Sequence, residues 1–151
     1  MSGSYLRFAV MILTSTVVMY GVMYLNTYAF QHVYFSETRL YMALLMGATM
    51  AALMLLFMRG MYRNAALNAA ILGASALSFT VGLWLVRSQA TIEDASWMRA
   101  MIPHHSIAIL TSERARISDP RVRALADQII ESQRKEIEDM QRLLAALDQG
   151  N

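Results

Sequence analysis

The chain has 151 residues, enough for one compact unit or two small ones, and it contains no cysteine, which excludes disulfides and thiolate metal sites. Residues 1–90 hold five arginines and a single acid, Glu37, whereas residues 91–151 hold eight basic and ten acidic residues. The formal net charge of +2 comes mostly from arginines that flank apolar segments, so it does not indicate nucleic-acid binding. We therefore expect the first part of the chain to lie in an apolar environment and the second in water.

Three apolar segments of the first part, residues 8–25, 40–58 and 65–86, are long enough to cross a bilayer. The first is longer than the apolar region of a signal peptide and lacks a cleavage site, so it is predicted to remain as a membrane helix. Three spans place the termini on opposite sides, and the short basic loop with Arg59 and Arg63 favours a cytoplasmic N-terminus. The sequence thus predicts a transmembrane domain at 1–90 and an extracytoplasmic, periplasmic domain at 91–151 of a bacterial inner-membrane protein.

Two stripes of period four run along the second and third spans. The methionines are Met42, Met46, Met50, Met54 and Met58, and the small residues are Ala66, Ala70, Ala74, Ser78 and Gly82. Small residues allow close approach of helices, and flexible methionines fill the irregular space between them. The alternative is a thioether ladder that passes soft metal ions through the membrane, and no intramembrane charge or histidine supports it.

Two helices are predicted after the third span. The first either continues from that span or starts after a break near Ala90, where Thr91 and Asp94 form an N-cap signal, and it contains Pro103, which is expected to kink it. A stop follows Ile117, and Asp119 with Pro120 starts an amphipathic helix that runs to about Leu147. The predicted fold is therefore all-α, with three transmembrane helices followed by a soluble helical hairpin.

The first soluble helix carries a group of possible soft-metal ligands. Helical geometry places Met98, Met101 and His105 on one face, with His104 about a quarter-turn away. Thioether sulfur and imidazole nitrogen together suit Cu(I) or Ag(I). The alternative is that the methionines fill a helix interface and the histidines are ordinary polar residues.

The second soluble helix adds further candidates. If the two helices fold back on each other at Ser118-Asp119, residues that are equally distant from this turn lie at the same height along the hairpin. His105 then lies opposite Gln133, and Met98 lies opposite Met140. The candidate ligands that converge are then Met98, Met101, His105 and Met140, with Gln133 or Glu136 supporting the imidazole.

The order of these motifs resembles a known family. Trp97-Met98-x-x-Met101-Ile102-Pro103-His104-His105-x-x-Ala108-Ile109, then Asp119-Pro120-x-x-Arg123-x-Leu125-Ala126, Ile129-Ile130 and Gln133-x-x-Glu136-Ile137-x-x-Met140, resemble the bacterial "domain of unknown function 305" family. The resemblance implies a ferritin-like helical fold and a link to copper tolerance. Because only two soluble helices follow the membrane here, they cannot bury their apolar seam alone, and a homo-oligomer is predicted to complete this half-bundle. It also implies metal binding by Met98, Met101, His104, His105 and Met140, with Gln133 and Glu136 as motif residues. Thr111 departs from the family, whose members often have methionine there.

The sequence thus predicts a membrane-anchored, extracytoplasmic protein that binds copper, as Cu(I) or Cu(II), or Ag(I), for sequestration or tolerance. Its expected partners are the bilayer, further copies of itself and a metal-transfer partner of unspecified nature. No Glu-x-x-His pair of the di-iron type is present, and we expect no catalysis. The alternative is an assembly module in which a histidine and glutamine network fixes oligomer geometry. His32 is expected to be an interfacial polar residue rather than a fourth ligand.

Overall fold

The computed structural model describes residues 3–149, which form five α-helices and one short 3-10 turn. The helices are α1 (Gly3–Val22), α2 (Glu37–Phe57), α3 (Ala65–Ser88), α4 (Asp94–Arg114) and α5 (Pro120–Gln149), and the 3-10 turn is Phe30–His32. No strand occurs within residues 3–149, which confirms the predicted all-α class.

Helices α1, α2 and α3 have 20, 21 and 24 residues and are long and apolar enough to cross a membrane. This finding confirms the three predicted spans and indicates membrane association. α1 begins at Gly3 rather than residue 8, and α2 begins at Glu37 rather than residue 40, because hydrogen bonding and not hydropathy sets where a helix starts. Apolar side chains such as Val17 and Leu77 are 70% and 67% exposed, as expected for surfaces that lipid covers.

The chain forms two compact units by its contacts. The membrane unit takes in the N-terminal residues through Met23 together with Thr38–Thr91, and the hairpin unit takes in Tyr24–Glu37 and the residues from Ile92 onward. The connection between the first two spans therefore belongs with the hairpin by its contacts, although it lies within the predicted domain 1–90.

The core of the membrane unit lies where α1 meets the loop between α2 and α3. Its buried residues are Tyr5, Phe8, Ala51, Leu55 and Tyr62. The Tyr5 hydroxyl donates to Asn68 Oδ1 at 2.8 Å and accepts from the Asn64 backbone N–H at 3.1 Å, so this tyrosine keeps its polar end bonded while its ring is buried.

The methionine stripe of α2 and the small-residue stripe of α3 are each buried only in part. Met54 and Met58 pack against the membrane-unit core, as the packing interpretation predicts, while Met42 is 40% exposed. Of the small stripe, Gly82 is buried, and a Cβ there would lie 3.3 Å from Leu45 Cγ, whereas Ala66, Ala70 and Ala74 are exposed. Of this stripe Gly82 is thus the buried member, whereas the middle of α3 packs through a neighbouring residue, Ser75, which is also buried.

Helices α3 and α4 are separate, so of the two alternatives left open by the sequence the break near Ala90 is the one that occurs. Gln89 ends α3 in the left-handed conformation with φ 53°, and its backbone N–H donates to the Leu85 carbonyl. Glu93 in extended conformation precedes α4 and takes the N-cap position in place of Thr91. α4 continues through Pro103, which is buried, and ends at Arg114, three residues before the predicted Ile117.

The hairpin is formed by α4 and α5. Asp119 caps α5, because its carboxylate accepts the Arg121 backbone N–H at 2.8 Å. The Arg121 side chain and then its backbone N–H hold the pKa of Asp119 below its usual value. The hairpin core consists of six buried residues: Met98, Ile102, Ile109, Ile137, Met140 and Leu144.

Candidate metal centre

Helix α4 turns one side toward α5, and the imidazole of His105 lies on that side. Ile102 and Ile109 are 0% and 1% exposed and fix this face of the helix, and the His105 side chain between them is 11% exposed. The periodicity of the apolar residues therefore brings one histidine of the pair, and not its neighbour, into the hairpin.

Both ring nitrogens of His105 are hydrogen-bonded. Nδ1 lies 2.9 Å from the Met101 carbonyl oxygen and Nε2 lies 2.7 Å from Glu136 Oε2. A carbonyl and a carboxylate both accept hydrogen bonds, so each ring nitrogen faces an acceptor oxygen. The bond from Nδ1–H to Met101 fixes the ring orientation, and it leaves Nε2 as the nitrogen that can exchange its hydrogen for a metal ion.

Glu136 is the partner of that exchangeable nitrogen. Its second oxygen, Oε1, accepts the Ser132 hydroxyl at 2.7 Å, and its side chain remains 48% exposed. The hydrogen bond from Ser132 and then that from His105 lower the pKa of the Glu136 carboxyl, so it is an anion near neutral pH. A negative oxygen thus lies beside the nitrogen at which a cation would bind.

The three methionines predicted as ligands come together in the hairpin core. Met98 and Met140 are 5% and 6% exposed, and Met101 packs against the same cluster. On α5, Met140 lies one helical turn beyond Glu136, which holds His105. Three thioethers and one imidazole therefore share one region of the hairpin, a donor set that fits a soft cation.

His104 and Gln133 lie differently from the other predicted residues. His104 is exposed, and its ring centroid is 6.0 Å from that of His105. Gln133 is half-buried, and the residue that holds His105 is Glu136, three positions further along α5. α4 ends at Arg114 and α5 starts at Pro120, so segment 115–119 is not helical, and counting residues outward from Ser118-Asp119 does not give the height at which the two helices pair.

A second polar group, which the sequence did not indicate as a unit, contacts α4 beside His105. The fully buried Ser106 Oγ accepts the Tyr28 backbone N–H at 2.7 Å and lies 2.9 Å from His32 Nδ1. The Ser106 hydrogen is then available for His32 Nδ1, which fits a neutral imidazole, and burial lowers the pKa of His32. His32 is therefore bonded to the helix that carries the candidate ligands, and it is not among those ligands.

Within residues 3–149 no group of three or more His, Cys, Asp or Glu side chains has metal-binding geometry. A candidate centre in this hairpin therefore depends on thioether sulfur in addition to the imidazole and carboxylate.

The fold and the donor set define a helical protein with three candidate membrane spans and a hairpin that combines imidazole with thioethers. Residues 87–151 match the family model described as Domain of unknown function (DUF305), which confirms the predicted resemblance for this part of the chain. The uncharacterized protein L153 of Acanthamoeba polyphaga mimivirus is 44% identical over 64 residues, which are 41% of this chain and 42% of that protein. The chain thus spans less than half the length of this relative. No solved structure is a significant match.

Proposed function

We propose that this protein is a membrane-anchored, soft-metal-binding protein whose hairpin binds Cu(I), Ag(I) or Cu(II) for sequestration or tolerance. The observation that carries the proposal is the position of His105. Its ring is buried, its Nδ1 is bonded to the Met101 carbonyl and its Nε2 to Glu136, and the hairpin core that contains Met98 and Met140, with Met101 packed against it, is formed by the same two helices. An imidazole oriented in this way needs no rearrangement of the ring to become a ligand.

The donor set favours soft over hard cations. Met98, Met101 and Met140 contribute neutral sulfur, which binds Cu(I) and Ag(I) far better than Mg²⁺ or Ca²⁺. Glu136 supplies one negative charge next to Nε2 and offsets part of the charge of an incoming ion. The metal ligands of the proposal are therefore Met98, Met101, His105 and Met140, with Glu136 beside them.

The location in the cell is part of the proposal. The candidate spans α1, α2 and α3 hold the chain in a membrane, and the basic loop with Arg59 and Arg63 supports a cytoplasmic N-terminus. With three spans, the hairpin then lies outside the cytoplasm, in the periplasm of a bacterium. There it takes up metal ions before they cross the inner membrane, or passes them on.

The test is a titration of the full-length protein in mild detergent with Ag(I), which is redox-inert and has the same preference for soft ligands. We expect stoichiometric binding by the wild type and at least a tenfold weaker affinity for His105→Gln, since glutamine retains a polar contact with Glu136 but lacks a soft nitrogen. Met61→Leu is the matched methionine control, because Met61 is 57% exposed and lies outside the hairpin. Absence of Ag(I) binding at micromolar concentration by the folded wild type would overturn the proposal.

An assembly module without metal is the second candidate function. The observation that favours it is that the His105–Glu136 bond and the His32–Ser106 bond are both formed without a metal ion. In this case His105→Gln and Gln133→Ala would change the oligomeric state of metal-free protein, measured by light scattering in detergent. The metal-binding proposal predicts an unchanged oligomeric state for both variants.

A further inference from the structure

The membrane unit carries unbalanced positive charge at the end where α1 begins, α2 ends and α3 begins. Arg7 lies in the second turn of α1, and Arg59 and Arg63 lie in the connection from α2 to α3. The sequence has no acidic residue in 1–36 or 38–92. All three arginines are exposed, and none forms an ion pair with another residue of 3–149. These guanidinium groups are therefore available to an external anion.

A cleft of about 760 Å³ opens beside Arg63. Its lining includes Ser4, Tyr5, Met61, Arg63 and Leu67. The Arg63 Nε donates to the Gly60 carbonyl at 3.3 Å, whereas its two terminal nitrogens have no acceptor among residues 3–149. A guanidinium held in this way presents two terminal amino groups, which match two oxygens of a phosphate. Arg7 follows Ser4 by three positions and so lies on the same side of α1.

Hydrogen bonds and ring contacts hold the wall of this cleft in place. The Tyr5 hydroxyl is bonded to Asn64 and Asn68, and Asn68 Nδ2 donates to the Tyr62 carbonyl at 2.7 Å. The ring centroids of Tyr5 and Tyr62 are 5.1 Å apart. These contacts tie the loop that carries Arg63 to α1 and α3. A ligand therefore does not have to order this loop, which lowers the entropic cost of binding.

An apolar groove continues from the cleft along the spans. It has a volume of about 360 Å³, lies between α1 and α3, and shares Tyr5 and Leu67 with the cleft. Its other lining residues are all apolar: Phe8, Ala9, Ile12, Leu13 and Ile71. From Tyr5 to Leu13 the groove follows α1 for about 12 Å, toward the middle of the span. A positively charged cleft that joins an apolar groove fits a molecule with an anionic head and a hydrocarbon chain.

We propose that this end of the membrane unit binds one anionic phospholipid, with its phosphate at Arg63 and one acyl chain in the groove between α1 and α3. Arg7 and Arg59 add to the positive potential, which favours a lipid of net negative charge over a zwitterionic one. The apolar groove distinguishes this ligand from free phosphate, which has no hydrocarbon to place there. The lipid site does not depend on metal binding by the hairpin.

The head-group part is tested by native mass spectrometry of delipidated full-length protein in mild detergent, with phosphatidylglycerol as the anionic probe and phosphatidylcholine as the zwitterionic one. We expect one tightly bound phosphatidylglycerol per chain in the wild type and binding weaker by about tenfold in Arg63→Gln. Arg87→Gln is the matched control, because Arg87 is also exposed but lies in the last turn of α3, at the opposite end of the span. Equal affinity for both lipids, or an equal loss in both variants, would show general contact of arginines with the bilayer and would overturn the site.

The acyl-chain part is tested by added bulk. Ala9→Phe fills the groove, and Val10→Phe adds the same side chain at the next position of α1, which is 53% exposed and is not part of the groove lining. We expect weaker phosphatidylglycerol binding in Ala9→Phe alone, and Arg63→Gln, at an exposed loop position, tests the site independently of the fold of Ala9→Phe. Equal affinity of the two phenylalanine variants would overturn the assignment of the acyl chain. Displacement of the lipid by a modest excess of inorganic phosphate would indicate a free-phosphate site and would overturn the proposal as well.

Discussion

The substitution Met140→Leu separates the two roles of a buried methionine, packing and metal binding. Met140 is 6% exposed in the hairpin core, where leucine has nearly the same volume, so in metal-free protein we expect a loss of less than about 1.5 kcal/mol of unfolding free energy. The thioether sulfur, in contrast, has no substitute in leucine. The variant should therefore resemble the wild type without metal and differ from it with metal.

The size of the metal effect follows from linkage. An ion present at a hundredfold excess over its dissociation constant stabilises the folded protein by about 2.7 kcal/mol, and a tenfold weaker affinity reduces this to about 1.4 kcal/mol. Thermal unfolding of the full-length protein in detergent, with and without Ag(I), measures both quantities. We expect the Ag(I)-dependent rise of the midpoint to fall by about 3–5 °C in Met140→Leu and to be unchanged in Met61→Leu.

Two results of this experiment would contradict the reasoning. An unchanged Ag(I) effect in Met140→Leu would show that this sulfur is only a packing group. A metal-free destabilisation of several kcal/mol would show that the hairpin core depends on the shape of methionine, so that the metal effect could not be assigned to the sulfur.

Three further predictions concern the elements around the site. Ser106→Ala leaves the Tyr28 N–H without its bond, and we expect a loss of about 1–3 kcal/mol in unfolding free energy, measured by denaturation in detergent, with Ser106→Thr less affected. Because burial lowers the pKa of His32 from 6.5, the unfolded chain takes up more protons there, so stability should fall as pH drops below about 6.5 and His32→Gln should flatten this part of the stability–pH curve. Gly47→Ala places a Cβ against Thr16 Oγ1 and should destabilise the pairing of α1 and α2 by about 1–3 kcal/mol. If adding Thr16→Ala to this variant failed to restore its thermal midpoint, the steric explanation would be wrong.

Local signals in the sequence determined much of the fold. Apolar length specified the three spans, Asp119 with Pro120 specified the start of α5, and the spacing of Met98 and His105 placed both on the buried side of α4. These features depend on residues close together in the chain, where helical geometry fixes relative direction.

Only the tertiary structure decided which residues meet across helices. The periodicity of α4 and α5 fixes their faces but not their axial offset, and of the two candidates, Gln133 and Glu136, it is Glu136 that holds His105. The bond between Ser106 and His32 joins residues 74 positions apart, and no local pattern encodes it. Partner choice depends on offsets of a single helical turn, which long-range packing sets and sequence periodicity leaves free.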